Sequence, residues 1–411
     1  MAGIFKRKYD PNNYFFLSFK TKIYPTKEQK IYFKNCFGIR RFAYNWFLDE
    51  VNNDCKNGIK KQSYISMRTR FGNEIKNNKN LEFVNKVNSR VWQQALGDAD
   101  KAYNMFYKGI NDFPKKKKKK DKIQSFSTER YKILADNLFR INKGNSPKNI
   151  SNYEKDKKYS TKIKTAESIK FLEDLNIENL TISFDNINYY VSFSYRILKT
   201  DFYNIYKNKI RFYHPRQNIV GIDLGLKTYA TQSDGKVAIF PKSKILKLEK
   251  RINRLQFIMS KKYNKNKKFW QQSKNYYKVK TKLNKLYKKK RLITKDFLDK
   301  YTTWLVTNYK VIKIEDLKIS NMIKNHKLAK SISRCNFFEF RSMLKYKCEL
   351  YGSKLIVINT FYPSSKICNS CGHKKHKLSL SERTYICENC GLVIDRDYNA
   401  ALNISEWEFW K

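Results

Sequence analysis

Acidic residues are scarce in this chain, with 36 Asp and Glu against 87 Lys and Arg in 411 residues, a formal net charge of +51. So large an excess of one sign repels itself in a compact protein and favours a polyanionic partner. Nucleic acid is such a partner, because phosphates held by Lys and Arg release counterions. An AT-rich coding sequence is the alternative explanation. It accounts for the preference for Lys over Arg, but not for the scarcity of acids.

Long apolar runs are also lacking. No stretch of about eighteen or more apolar residues occurs, so no membrane span is expected. The first ten residues, MAGIFKRKYD, lack the apolar core of a secretion signal. We therefore expect an intracellular chain, in the cytoplasm or nucleoid of a prokaryote or in the nucleus of a eukaryote.

The hydrophobic content is nevertheless 41%, with 15% aromatic residues, which is enough to build folded cores. In the N-terminal half, residues 14–24 read as a strand, after which Thr26 and Gln29 form a capping box that begins a helix. Further segments are predicted as a helix over about 80–108, a flexible polar excursion over 144–168, and a hairpin that turns at Asp185-Asn186. This order predicts a β-rich unit with a helical insertion after its first strand.

The C-terminal half changes character after His214-Pro215. Short apolar runs of the buried-strand type alternate with helical patterns, which predicts an α/β unit. The predicted strands are NIVGIDLG, KVAIF, YKVIKIEDL and KLIVIN, and the predicted helices are a basic hairpin over 243–300 and a helix over 335–352.

Four cysteines near the C-terminus have the spacing of a metal site. Cys368 and Cys371 form one CxxC pair, and Cys387 and Cys390 form another, each followed by a glycine. Two such pairs place four thiolates tetrahedrally around zinc. Because four protein ligands fill the coordination sphere, the predicted zinc ion is structural.

Three carboxylates are candidate ligands of catalytic magnesium. Asp223 interrupts an apolar strand, where a charge is costly to bury unless it is paired or binds metal. Glu315 ends another apolar strand, and Asp397 lies where a helix begins after the cysteine pairs. Acids that converge at one edge of an α/β sheet can bind two magnesium ions for phosphodiester hydrolysis.

Structural roles for these acids are the alternative. Asp223 could cap a turn, Glu315 could form a surface ion pair, and Asp397 could cap the helix. Asp395 also competes with Asp397, and periodicity alone does not choose between them.

A run of six lysines, Lys115 to Lys120, follows Pro114. Six like charges do not pack together, so the run is predicted to be a solvated loop that contacts phosphate, or simply a solvated face. The candidate nucleic-acid contacts are Arg40, Arg41, Lys115 and Lys118.

Taken together, GIDLGLKTYA, VIKIEDLKISNM, YPSSKICNSCG and YICENCGLVIDRDYNAALNI resemble the transposon-encoded OrfB/TnpB proteins. These are compact RNA-guided DNA endonucleases related to the type V CRISPR effectors. KIYPTKEQ, FGIRRFAYNW and FPKKKKKK also resemble N-terminal segments of that family, so the resemblance covers nearly the whole chain.

The resemblance implies a multidomain α/β protein with a RuvC-like nuclease domain of the ribonuclease H fold. That domain would cover 214–362 and 392–411, with a zinc ribbon inserted over 363–391. A wedge-like β-barrel would cover 1–26 and 123–213, with a helical recognition insertion over 27–122.

The family's Asp, Glu and Asp would correspond to Asp223, Glu315 and Asp397, because the family places its last acid two residues before an Asn, here Asn399. The implied cofactors are two Mg²⁺ and one Zn²⁺, and the implied partners are a guide RNA and target double-stranded DNA. The alternatives are a catalytically silent RNA-guided regulator and a transposase accessory protein that needs no guide.

Overall fold

The structure, a computed structural model, describes residues 11–119, 121, 123–129, 131–144, 160–206, 217–267, 271–379 and 382–407. The chain divides into two compact units, Met1–Asn204 and Ile205–Lys411. Both units combine helices and sheets, as expected for a multidomain α/β protein. Among the described residues, no helix has the length and apolar character needed to cross a membrane.

The first unit is built on two antiparallel sheets and three longer helices. Its elements are β1 (Tyr14–Ile23), α1 (Lys27–Lys56), α2 (Tyr64–Asn77), α3 (Arg90–Tyr107), β2 (Gln124–Thr128), β3 (Tyr131–Ala135), β4 (Leu138–Asn142), β5 (Ser160–Lys164), β6 (Asn176–Phe184), β7 (Tyr189–Leu198) and α4 (Lys199–Tyr206).

Strand β1 pairs along its whole length with β7, from Tyr14 opposite Leu198 to Ile23 opposite Tyr189. The four-stranded sheet has the order β1-β7-β6-β2, and β3, β4 and β5 form a second sheet. Helices α1 to α3 are therefore an insertion between paired parts of one sheet, which confirms the predicted order of strand, helices and strands. The wedge-like barrel and its limits stay predictions.

The start of α1 is also as predicted. The Thr26 hydroxyl accepts a hydrogen bond from the Gln29 backbone N–H at 3.3 Å, and the Gln29 side chain accepts one from the Thr26 N–H at 2.9 Å. The helix buries one apolar stripe because its large side chains recur at helical spacing. The buried members include Phe33, Phe37, Tyr44, Leu48 and Val51.

Two N-terminal predictions were wrong in detail. The segment 80–108 is not one helix, because a 3-10 helix over Lys79–Lys86 ends at Val87 and α3 begins only at Arg90. The excursion predicted over 144–168 contains β5, whose Ile163 is fully buried. Its residues 145–159 lie outside the described part of the chain.

The second unit contains a five-stranded sheet of order β10-β9-β8-β11-β12, in which β8, β11 and β12 are parallel. Its elements are β8 (Gln217–Leu224), β9 (Ala230–Gln232), β10 (Val237–Ala238), α5 (Lys242–Lys262), α6 (Lys274–Asn308), β11 (Tyr309–Glu315), α7 (Ile319–Ile323), α8 (His326–Cys335), α9 (Phe337–Tyr351), β12 (Lys354–Ile358), β13 (Thr384–Ile386), β14 (Val393–Asp395) and α10 (Arg396–Glu406).

One face of this sheet carries the main core of the unit, in which Ile222, Tyr229, Leu305, Ile312 and Phe340 pack together. Helix α10 lies against β8, β9 and β11. The predicted basic hairpin is observed as α5 and α6. The strand predicted as KVAIF is confined to Val237–Ala238, and β9 was not predicted.

Candidate active site and cysteine cluster

Asp223 and Glu315 lie at the carboxyl ends of adjacent parallel strands. Ile222 on β8 is paired with Ile314 on β11, so Asp223 and Glu315 follow one residue further along each strand. Parallel strands bring the groups at their carboxyl ends to one edge of the sheet, which is where ligand sites of open α/β sheets are found. The structure thus places these two predicted acids side by side.

Gly221 sets how closely α10 approaches these strands. A Cβ atom on Gly221 would lie 2.2 Å from the Ala401 carbonyl oxygen and 2.4 Å from the Ser405 backbone nitrogen. Only a residue without a side chain fits here, so the helix rests directly on the strand backbone. Side chains alternate along a strand, and Asp223 therefore shares the α10 face with Gly221.

The same contact places Asp397 level with Asp223. Asp397, Ala401 and Ser405 recur at intervals of four residues on one face of α10, about 6 Å apart along the helix axis. The step of two residues along β8, from Gly221 to Asp223, covers about 6.6 Å. This length matches one turn of α10, from Ala401 to Asp397. Asp397, on the first turn, then reaches the edge that carries the other two acids.

Asp395 has a different position and role. It is the N-cap of α10, and its side chain accepts hydrogen bonds from the backbone N–H groups of Asp397 at 2.9 Å and Tyr398 at 3.0 Å. Capping satisfies donors that have no partner within the helix. The geometry therefore assigns the capping role to Asp395 and leaves the Asp397 carboxylate available for the site.

The other two acids affect the pKa of Asp223. Burial, followed by the nearby carboxylates of Glu315 and Asp397, raises the pKa of Asp223 to about 8. Burial also raises the pKa of Glu315, although a hydrogen bond with Ser364 opposes the shift. A divalent cation coordinated by oxygen would offset this excess of buried negative charge, so the donor set fits magnesium.

Asp397 has cationic partners, and Glu315 has the Ser364 hydroxyl. The Arg396 guanidinium lies 3.1 Å and 3.3 Å from one Asp397 oxygen, and Arg383 lies 3.8 Å from the other. In the part of the chain that the structure describes, the three acids do not form a group whose ligand atoms all lie within 4.8 Å of one another. Glu315 and Asp397 thus contact different neighbours at this edge of the sheet.

Three asparagines connect α10 to the segment that carries Ser364. Asn403 donates to the carbonyls of Ser364 and Ile367, both at 2.7 Å, and Asn399 also donates to Ile367 at 2.7 Å. The Asn369 backbone N–H donates to the Asn399 side chain at 3.1 Å. Because Asn399 and Asn403 are fully buried, this network fixes the base of the cysteine segment on α10.

The four predicted zinc ligands come together. The sulfur atoms of Cys368, Cys371, Cys387 and Cys390 all lie within 4.8 Å of one another. Cys368 and Cys390 are 3.6 Å apart, and Cys371 and Cys387 are 3.5 Å apart. A tetrahedral zinc site with bonds of about 2.3 Å requires sulfur separations of about 3.8 Å. The cluster could therefore bind a structural zinc ion.

The backbone around the cluster supports the same geometry. Gly372 and Gly391 have φ angles of 74° and 73°, which a glycine adopts without strain. The Asn389 amide donates to the Cys371 sulfur at 3.6 Å. A backbone hydrogen bond from His373, together with this amide, lowers the pKa of Cys371 to about 6 and favours the thiolate.

The candidate nucleic-acid residues Arg40 and Arg41 face a cleft of about 680 Å³ in the first unit. Arg40 forms an ion pair with Asp98 at 2.5 Å and donates to the Ser125 carbonyl at 3.0 Å. Arg41 donates to the Gln124 side chain. Both guanidinium groups thus have partners inside the unit, and their contact with nucleic acid stays a prediction.

The backbone of the lysine run is hydrogen-bonded to α1, unlike that of a free arm. Asn45 accepts a hydrogen bond from the Lys117 N–H at 2.8 Å and donates to its carbonyl at 3.0 Å. The side chains of Lys115 and Lys118 are exposed, while Lys120 lies outside the described residues. The run therefore presents charge to solvent from a backbone that is held in place.

Sequence reasoning did not identify Ser364, Arg396, Lys313 or the asparagine network. The buried Lys313 donates to the Ser405 carbonyl at 2.7 Å and so places a cation at the C-terminal end of α10. The role of Gly221 could have been predicted, since a glycine within an apolar strand often marks a close backbone approach.

Comparison with known proteins extends over both units. The chain is 30% identical, over 389 residues, to the "Putative RNA-guided DNA endonuclease" of Streptomyces pristinaespiralis, covering 94% of this chain and 88% of that protein. This chain belongs to the TnpB family. In this chain, residues 192–326 match the OrfB family described as "Probable transposase", and residues 17–60 match the associated helix-turn-helix domain.

Other TnpB relatives agree with this membership. The "Putative RNA-guided DNA endonuclease InsQ" of Escherichia coli K12 is 28% identical, over 94% of this chain and 91% of that protein. The "TnpB-like protein L79" of Acanthamoeba polyphaga mimivirus is 24% identical, over 95% of this chain and 73% of its own length.

The structural neighbours are consistent with the TnpB assignment. Residues 337–404 match the "Cas12f1-like, TNB domain". The fold resembles the protein in the cryo-EM structure of a Cas12f1-sgRNA-target DNA complex, with a TM-score of 0.51, 13% identity, and coverage of 96% of this chain and 99% of that one. The overall fold is therefore of the multidomain α/β type shared by TnpB and Cas12 proteins.

Proposed function

We propose that this protein is an RNA-guided, magnesium-dependent DNA endonuclease encoded by a transposable element. It cuts target DNA next to a short flanking motif. The observation that carries the proposal is the placement of Asp223, Glu315 and Asp397 at one edge of the sheet. The relatives named as RNA-guided DNA endonucleases support the same substrate and guide.

The nuclease domain is proposed to be RuvC-like, with the ribonuclease H fold, over residues 214–362 and 392–411. Support comes from a sheet of three parallel strands extended by two antiparallel ones, with the acids at the carboxyl ends of β8 and β11. Residues 363–391 are proposed as the zinc ribbon. The first unit would then supply a wedge-like barrel, 1–26 and 123–213, and a recognition insertion, 27–122.

In the proposed reaction, Asp223, Glu315 and Asp397 would bind two magnesium ions. When bound, magnesium supplies an activated water and neutralises charge on the attacking and leaving oxygens of the phosphodiester. The chain's own contribution is positional. Gly221 and Lys313 hold α10 against the strands, Ser364 orients Glu315, and the Asp395 cap fixes the helix turn that carries Asp397.

Binding and sequence selection are assigned to other parts of the molecule. Guide RNA would pair with the target strand, and the protein would contact the heteroduplex backbone and read the flanking motif. The +51 charge supports such extensive phosphate contact.

The test is a cleavage assay with the guide RNA encoded beside the gene, a matched duplex and magnesium. Asp223→Ala, Glu315→Ala and Asp397→Ala should each abolish cutting, while binding in chelator stays near the wild-type level. Loss of a carboxylate removes a metal ligand, but leaves the basic residues and the guide in place.

The control is Asp395→Asn, since asparagine caps a helix about as well as aspartate. That variant should keep most of the activity. If all three alanine variants cut like the wild type, the nuclease proposal is wrong. If the wild type binds a matched duplex but never cuts it, the chain is an RNA-guided regulator instead.

A further inference from the structure

The loop that follows β12 is held against the end of β11, beside the acids. The Asp316 N–H donates to the last carbonyl of β12 at 3.2 Å, and the Thr360 hydroxyl donates to the Asp316 carbonyl at 2.9 Å. At its far end, Ser364 is hydrogen-bonded to Glu315. Both ends of this short loop are thus tied to the candidate active site.

Between those anchors, Phe361 extends into solvent. Its side chain is 81% exposed, the largest value among the large hydrophobic residues that the structure describes. It is three residues from Ser364, so their Cα atoms are at most about 11 Å apart. The ring therefore lies on the loop that leads to Ser364, the partner of Glu315, and is too exposed to belong to a core.

A second exposed ring lies near the same strand end. Phe338, on the first turn of α9, is 74% exposed. It precedes Arg341 by one helical turn, and Arg341 forms an ion pair with Asp316. Within the described part of the chain, these are the two most exposed phenylalanines. Each lies near a residue that contacts Asp316, the residue after Glu315: Thr360 beside Phe361, and Arg341 one turn after Phe338.

Cations accompany the rings. The Lys318 ammonium lies 4.8 Å from the centroid of Phe361, and Arg341 is half-exposed beside Phe338. Aromatic rings stack on unpaired bases, and a neighbouring Lys can contact the phosphates between those bases. The surface thus combines the two features of a site for a single strand of nucleic acid.

We propose that Phe361 is a positioning residue that stacks on an unpaired base of the DNA strand held at the acids, with Phe338 as a second contact near the same strand end. Stacking requires a free base face, so the strand is single at this point. The inference rests on the proposed endonuclease function and specifies how that site holds its substrate.

The test uses the full chain with its guide RNA and a matched target. Phe361→Ala should lower kcat/KM for cleavage roughly tenfold, the effect expected for loss of one stacked base. Phe361→Trp should keep most of the activity. Phe257 provides a matched control on α5, because it is 61% exposed and has the Lys261 ammonium 4.5 Å from its ring centroid. Phe257→Ala should leave cleavage unchanged.

A second measurement does not depend on cutting. A 2-aminopurine base placed next to the cleavage point should lose fluorescence when bound in chelator by Asp223→Ala protein. The fluorescence should return when Phe361→Ala is added to that background. Quenching that does not depend on Phe361, or equal losses of activity with Ala and Trp, would overturn the stacking proposal. Absence of wild-type cleavage would overturn the endonuclease function, while the fluorescence would still decide the stacking.

Discussion

Gly221 links the sheet to the helix that carries Asp397. The backbone of α10 occupies the space that a side chain at this position would need, so any substitution must push the helix away. Because Asp397 is placed by the same face of the helix, a displacement at Gly221 also moves a candidate metal ligand.

We therefore expect Gly221→Ala to lower both stability and cleavage. Overpacking of this kind costs roughly 1–3 kcal/mol, and the clash here is with backbone rather than with a flexible side chain. Urea denaturation followed by circular dichroism measures the loss. Gly72→Ala is the control, since no atom lies within 4 Å of an added Cβ in α2 and alanine favours a helix. Equal stabilities of the two variants would contradict the close-approach argument.

At the site, the sequence predicted the residue types better than their contacts. Asp223 and Glu315 are candidates from the sequence because a charge is unusual in an apolar strand. Asp395 and Asp397 were not separable from the pattern, because acids suit both the cap and the first turn of a helix. The Glu315–Ser364 contact joins residues 49 positions apart, and no local pattern predicts such a pairing.

Among the elements, α5, α6 and α8 are joined by a buried carboxylate. Glu249 on α5 is 7% exposed and accepts hydrogen bonds from Lys290 at 2.7 Å and from Arg334 at 2.8 Å. Burial raises the pKa of this carboxyl group, but the hydrogen bonds from Arg334 and Lys290 outweigh burial and lower the pKa to about 2. The charged form therefore stabilises the packing of the three helices.

Because the folded-state pKa of Glu249 lies below the unfolded value of about 4.3, its carboxylate stabilises the fold above that pH. This stabilisation is lost as the pH falls toward 2. At neutral pH, Glu249→Gln should destabilise the hairpin by on the order of 3 kcal/mol, because two cations lose their partner. Hydrogen exchange of α8, corrected for intrinsic rates, should show this difference at pH 7 and about half of it near pH 3.

Asp296→Asn is the matched control for Glu249. The Asp296–Lys300 pair on α6 is exposed, and such pairs contribute little to stability. A Glu249 effect that stays constant between pH 7 and pH 3 would show that shape, not charge, holds these helices together.

The cysteine cluster should bind one zinc ion per chain, and Cys387→Ser should release it, because a tetrahedral site loses most of its affinity with one thiolate. The asparagine network would transmit the loss to α10, so cleavage should fall as well. Metal analysis of the purified protein measures the zinc. Cys55→Ser, at an exposed free cysteine, should retain it. A wild-type protein without zinc would contradict the assignment.

Elements with strong periodicity were predictable from the sequence, including β1, β8, β11 and the hairpin of α5 and α6. The break before α3 was not. Asn88 is buried, accepts a hydrogen bond from the Arg90 N–H at 2.9 Å and donates to the Gly144 carbonyl at 3.2 Å. That tertiary contact interrupts a pattern that continues in the sequence. The short strands β3 to β5 have too few residues for alternation to distinguish them from a polar loop.

For the whole molecule, the dominant property is its excess of positive charge. Within the described residues, basic side chains differ in how available they are. Arg40 is paired with Asp98, whereas the side chains of Lys115 and Lys118 are exposed on a backbone segment that Asn45 holds in place. Exposed lysines are the better candidates for phosphate contact, since paired arginines would first have to lose an internal partner.

Affinity for nucleic acid should therefore fall steeply with salt, and the exposed lysines should account for part of the slope. Each phosphate contact contributes about −0.9 to the slope of log K against log salt concentration on duplex DNA. Lys115→Gln and Lys118→Gln should each reduce the slope by up to about 1 without lowering stability. Arg40→Gln should instead destabilise the first unit, because Asp98 loses its partner.

Fluorescence anisotropy with a labelled duplex, between low and moderate salt, measures the slopes, and thermal unfolding measures stability. A wild-type affinity that does not change with salt would refute the phosphate-binding interpretation of the +51 charge. If Arg40→Gln changes the slope and neither lysine variant does, the phosphate contacts lie in the cleft around Arg40 and not on the lysine run.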